Sequence, residues 1–237
     1  MAVCMRLRLI QNSENKKGMT IISKDSFQFL KQLKSHNNRP WFEKNRPLYE
    51  KARAEYLGFV TELMERIRKI EAIPEKEPAK YVQRIYRDIR FSKDKTPYKS
   101  HFSSIIDRGP EHRRCPVYLH IQPGKSMMGG GIWDPPAETL RMIRQEIDYN
   151  SAGLNKITSA KEFLKLFGKI SGAKLSRPPK GYNADNPNIE ILKFKQLYVE
   201  RNFDDDLVLS KHLIPEILKT YKAALPFFHY FDVVMGE

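Results

Sequence analysis

The chain has 237 residues, 41% of them hydrophobic and 30% charged, with a formal net charge of +14 and a pI near 9.7. The length suits one large domain or two small ones and the composition a real core, and no apolar run approaches the ~18 residues of a helical membrane span. Two cysteines, Cys4 and Cys115, exclude a disulfide framework and a cysteine metal site. The charge favours polyanionic partners such as nucleic acid or phosphorylated metabolites, against the plainer reading of a basic surface. The expected setting is cytoplasmic, away from membranes.

Residues 1–19 read as a disordered or extraneous leader, because residues 11–18 are polar and organised patterning begins at Thr20. The domain is expected over residues 20–237. A helix is predicted for residues 25–35 from Phe27, Leu30 and Leu33, with Ser23 or Asp25 as N-cap and the stretch His36-Asn37-Asn38 as its stop. A longer helix should follow to Ile70. Its stripe is Leu48, Ala52, Tyr56, Phe59, Leu63, Ile67 and Ile70, with Pro40 and Pro47 near its start. Together these form a helical hairpin, and Trp41-Phe42 between them reads as a core anchor, or Trp41 as a pocket wall.

Residues 82–91 fit a short helix or a strand equally well. Val117, Leu119 and Ile121 alternate with Tyr118, His120 and Gln122, then turn at Pro123-Gly124 and return from Met127 to Trp133. Further elements are a helix after Pro135-Pro136, a short amphipathic piece at residues 161–170, and a strand through Leu192, Phe194, Gln196 and Tyr198. A final helix over residues 210–231 should be interrupted at Pro226. The fold class is therefore α+β: one domain with a mostly antiparallel sheet, flanked by an N-terminal helical hairpin and a C-terminal helix.

The chemistry concentrates between residues 80 and 101. Seven cations (Lys80, Arg84, Arg87, Arg90, Lys93, Lys95 and Lys99) face only two acids, Asp88 and Asp94. Crowded cations repel unless an anion or a placed carboxylate sits among them. Arginine grips phosphate or carboxylate bidentately and lysine adds mobile charge, so Arg84, Arg87, Arg90, Lys93, Lys95 and Lys99 are candidate donors, with Tyr98 interleaved. The plainer reading is a solvated loop with internal Arg–Asp pairs. Gly129-Gly130-Gly131 is costly in a strand unless something needs close backbone approach. Gly130 and Trp133 therefore join the candidate ligand-binding residues.

His101 and His120, with Asp88 or Asp94, are candidate catalytic residues for acid–base work on a phosphorylated or carboxylated substrate. No metal-ligand spacing is present. The plainer reading of His120 is a hydrogen-bonded sheet histidine. Gly124-Lys125-Ser126 lacks the first glycine of a phosphate loop, and Gly129-x-Gly131 lacks the third glycine of a dinucleotide fingerprint. Three readings stand side by side: a protein binding a phosphate-bearing ligand, an enzyme, and a structural protein whose Arg–Asp network holds the helices to the sheet. The cofactor, the ligand and the oligomeric state are not given by the sequence.

Four blocks in order carry a family likeness: Phe27-x-Phe29-Leu30 with Asn37-Asn38-x-x-Trp41-Phe42; the basic segment 84–99; Gly129-Gly130-Gly131-x-Trp133; and Pro179-Lys180-Gly181 with Leu192-Lys193. In this order they resemble the domain of unknown function 2461 family. The resemblance runs from about residue 20 to the C-terminus and implies one domain. It implies no reaction, cofactor or catalytic residue.

Overall fold

A computed structural model describes residues 20–109 and 115–236. The expected leader, residues 1–19, lies outside them. Helix α1 (Lys24–Ser35) is capped by the Ser23 hydroxyl, which accepts from the Ser26 N–H at 3.1 Å. A short helix α2 (Arg39–Lys44) is capped in turn by Asn38, whose side chain accepts from the Trp41 N–H at 3.0 Å. It forms the corner between α1 and the long helix α3 (Arg46–Ile67), against which α1 packs. Ala52, Tyr56, Phe59, Leu63 and Ile67 are buried as their spacing predicts. Leu48, in the first turn of α3, is 48% exposed and does not join the buried stripe. The helix ends at Ile67, and Ile70 reaches the core from the turn beyond.

Strands β1 (Phe102–Ile106), β2 (Val117–Ile121), β3 (Ser126–Ile132) and β4 (Leu197–Phe203) form an antiparallel sheet in that order. Leu119 lies opposite Met128, and Gly130 opposite Val199. Between β3 and β4 run helices α4 (Ala137–Tyr149), α5 (Ala152–Thr158), α6 (Lys161–Phe167) and the single turn α7 (Ile189–Leu192). A one-turn α8 (Asp205–Val208) leads to the C-terminal helix α9 (Leu213–Val234). Strand alternation sends Val117, Leu119, Ile121, Met128 and Val199 inward. There α9 packs on β3 and α3 reaches β1. The opposite face of the sheet carries Ile105 and Glu200, which are exposed, and Tyr118, His120 and Met127, which are half-buried.

Three expectations are corrected. Leu192 closes α7 and Phe194 only bridges to Lys174, so the last strand begins at Leu197. Alternate apolar residues there serve two successive elements rather than one. Helix α9 continues through Pro226. The missing N–H costs one helical bond, but Phe227, Phe228 and Phe231 are fully buried just beyond it and hold the axis. Residues 82–91 are neither a helix nor a regular strand. Val82 bridges to Ser104 on the outer edge of β1, and Tyr86 bridges to Tyr98.

The largest fully buried side chain is that of Arg108. Its guanidinium meets Glu71 at 2.6 Å and Asp232 at 3.0 Å, and lies 5.0 Å from the Phe228 ring centroid. Burial alone would raise the Glu71 carboxyl, yet hydrogen bonds from Arg108, Tyr221 and His229 hold it below its ordinary value. Asp232 also accepts the Cys115 N–H at 2.8 Å. This network ties the turn after α3, the loop after β1 and the C-terminal helix together.

Candidate anion site and the open sheet face

The basic segment is a hairpin-like excursion from the edge of the sheet. Its stem is set by Arg87 N–H to Pro97 O at 2.9 Å and Lys99 N–H to Ile85 O at 2.7 Å. The root is clamped from outside. Tyr98 stacks on Phe42 with centroids 4.0 Å apart and planes 13° apart. The Asn37 amide bonds both the N–H (3.0 Å) and the carbonyl (2.8 Å) of Tyr98. Two of the sequence blocks thus meet in space: Asn37 and Phe42 exist to hold the loop that carries the cations.

Within the loop the cations divide into two groups. Arg87 reaches Asp94 at 2.6 Å and the Thr96 carbonyl at 3.1 Å, and also bonds the Thr96 hydroxyl. The Thr96 N–H, then Arg87 and the Thr96 hydroxyl, pull the Asp94 carboxyl down to about 2. Arg90 forks onto Asp88 at 3.0 and 2.7 Å, and these bonds together with the charge of Arg84 lower the Asp88 carboxyl. Lys95 donates to Ile89 O at 3.0 Å. Arg87, Arg90 and Lys95 therefore stabilise the loop itself, as the structural reading expects for part of the cluster.

Arg84, Lys93 and Lys99 have no side-chain partner among the described residues. Lys99 is half-buried; desolvation, and then the nearby Arg84 charge, lower its pKa. It lines a cavity of about 550 Å³ with Lys34, Arg87, Asp88, Asp94, Ser100 and His101. Of the other candidate donors, Arg84, Arg90, Lys93 and Lys95 lie outside that lining.

His101 forms one wall, with its ring 4.0 Å from that of His120. Burial first, then the charges of His120 and Lys99, push the His101 imidazole down to about 3, so it is neutral at pH 7. Burial also lowers His120. The Gln122 amide donates to Ser100 Oγ at 3.1 Å, so its oxygen accepts from His120 Nε2–H at 2.8 Å, and His120 Nδ1 accepts from the Tyr118 hydroxyl at 3.1 Å. Among the described residues no hydrogen bond joins Asp88 or Asp94 to either histidine. Asp88, Asp94 and His101 share the cavity, whereas His120 stands behind His101.

Gly130 and Trp133 fall elsewhere. They border a second hollow of about 470 Å³ on the open sheet face, with Ile105, Tyr118, Met127, Tyr198 and Glu200. It shares no lining residue with the first. Gly130 itself is required from the other side: a Cβ there would lie 2.6 Å from the Phe228 ring. Gly131, at φ 134°, adopts a conformation that favours glycine, and a Cβ would meet Leu197 O at 2.5 Å. Tyr198 and Glu200 were missed as site residues. The signal available was strand parity, which puts them on the face of Tyr118 and His120.

A family model described as "Conserved hypothetical protein (DUF2461)" matches residues 25–230. The chain belongs to this family. Its matched span includes the clamp, the cationic loop, the glycine strand and most of α9. No match was found among curated proteins or among solved structures. In this DUF2461 member no described helix is long and apolar enough to cross a membrane. Among its described residues no three of His, Cys, Asp and Glu gather as metal ligands would.

Proposed function

We propose that this DUF2461 protein binds a phosphate-bearing ligand in the cavity beside the cationic loop. One observation carries the reading: Lys99 is a half-buried ammonium without a described partner, placed against the charge of Arg84. The local acids are already engaged by Arg87, Thr96 and Arg90. An anion entering the cavity would relieve that repulsion and recover the desolvation cost of Lys99. Lys34 adds a second ammonium, and Ser100 Oγ, which accepts from Gln122, retains its own proton to donate. The loop is held by its own Arg–Asp pairs and by Asn37, so the site is preorganised before the ligand arrives.

Calorimetric titration with inorganic pyrophosphate tests this. Lys99→Ala should weaken binding by roughly 10- to 150-fold, the range for a hydrogen bond to a charged group. Lys93→Ala, outside the cavity, should change it less than about twofold, as expected of a solvated surface charge. Equal effects of the two substitutions, or no pyrophosphate binding at low salt, would remove the proposal.

A further inference from the structure

The open sheet face continues from the anion cavity into the second hollow. His101, in the cavity wall, packs on His120, and His120 bonds Tyr118, which lines the hollow. Tyr118 stands opposite Ile105, four strand residues or about 13 Å beyond His101, and Trp133 lies further along the same direction, so the two sites are separated by several nucleotides' length of extended strand. The hollow has a distinctive floor. Tyr118 lies opposite Gly129, which lies opposite Glu200, and Gly131 lies opposite Tyr198. Strand β3 therefore offers bare backbone at these positions, while aromatic side chains rise from β2 and β4. Trp133 is 64% exposed and lies 4.5 Å from the Tyr198 ring. Glu200 has no side-chain partner among the described residues.

We infer that this face binds single-stranded nucleic acid, with a base stacked at Trp133, Tyr198 and Tyr118 and phosphates several nucleotides further along the strand at Lys99 and Arg84. The inference rests on the proposed phosphate site and assigns the ligand's other half. Three observations favour a strand over an apolar partner. The cationic cavity and the aromatic hollow lie along the same sheet, at opposite ends of its strands. The chain carries a net charge of +14. The hollow contains a carboxylate, which repels phosphate but accepts the exocyclic amino hydrogens of a base such as cytosine. Stacking on exposed aromatic rings beside a basic groove is a general means of holding unpaired bases. A duplex would present neither a free base face nor its pairing edge to this hollow.

The test uses the full chain bearing Trp41→Phe, which leaves Trp133 as the sole tryptophan. Short oligocytidylate at low salt should quench Trp133 saturably, with a log–log salt slope of about −1.4 if Lys99 and Arg84 each neutralise one phosphate on a single strand. In the parent chain, Trp133→Ala should weaken oligocytidylate binding by roughly 5- to 150-fold, the span measured for base–aromatic stacking. It should leave pyrophosphate affinity unchanged. Glu200→Gln should reduce the preference for oligocytidylate over oligouridylate. If the oligonucleotide binds without quenching Trp133, or Trp133→Ala has no effect, this inference falls while pyrophosphate binding at Lys99 preserves the reading beneath it. If cytidine monophosphate binds as tightly as the oligonucleotide, the strand is wrong. If pyrophosphate also fails to bind, both readings fall.

Discussion

Placing a single methyl group at Gly130 separates packing from ligand access. A Cβ at this position would lie 2.6 and 2.9 Å from two atoms of the Phe228 ring and 3.0 Å from Pro116 O. The ring cannot swing aside easily. It is fully buried, lies edge-on to Phe227 and Tyr221, and has the Arg108 guanidinium 5.0 Å from its centroid. Overpacking of this kind costs about 1–3 kcal/mol, offset by up to about 1 kcal/mol because alanine loses less entropy than glycine on folding. Gly130→Ala should therefore destabilise by about 1–2 kcal/mol. Phe228→Leu alone should also destabilise, through lost burial. The double variant should be less unstable than the two costs added, with a coupling of about 0.5–3 kcal/mol. Relief is incomplete because the Pro116 carbonyl remains close. Urea midpoints of the four proteins complete the cycle, with pyrophosphate affinity measured beside them. Strict additivity would refute the account, as would Gly130→Ala losing ligand at unchanged stability.

Two further predictions concern buried charge. Asp232→Ala leaves Arg108 without one of its carboxylates and should destabilise by about 3–5 kcal/mol in chemical denaturation; a loss below 1 kcal/mol would show that the remaining partners suffice. His101 has a folded-state pKa of about 3 against an ordinary 6.5, so the unfolded chain binds the extra proton between those values and stability falls as pH drops through that window. Discounted for partial exposure, the loss from pH 7 to pH 5 should be about 1 kcal/mol, and His101→Gln should flatten the pH dependence of the denaturation midpoint by that amount. Parallel curves for the two proteins would contradict the buried neutral imidazole.

Elements whose burial repeats at a single period were legible in the sequence. The stripe of α3 and the alternation of β2 both report one face meeting one core. Where the chain changes element within a few residues, as from Leu192 to Leu197, alternate apolar residues cannot show which element each belongs to. Pro226 misled because local propensity yielded to the burial of Phe227, Phe228 and Phe231. The cationic loop was visible as a local excess of charge. Its division into internal ties and free cations was not, because hairpin register decides which acid meets which arginine. The Asn37 clamp on Tyr98 spans 61 positions, and the Arg108–Asp232 contact spans 124. Nothing local in the sequence announces contacts at such separations.

The last of these contacts bears on how the protein is made. Synthesis delivers the chain N-terminus first at about 5–20 residues per second, so Asp232 follows Arg108 by roughly 6–25 s. Throughout that interval the inner face of the sheet lacks the 22-residue helix that covers it, and Phe228 is not yet present to fill the space above Gly130. The nascent chain therefore carries an uncovered Val117, Leu119 and Ile121 surface and an arginine that must stay hydrated until Asp232 is made. Completion of this domain therefore waits on its last helix, and chains interrupted before it should expose apolar surface that chaperones and proteases recognise.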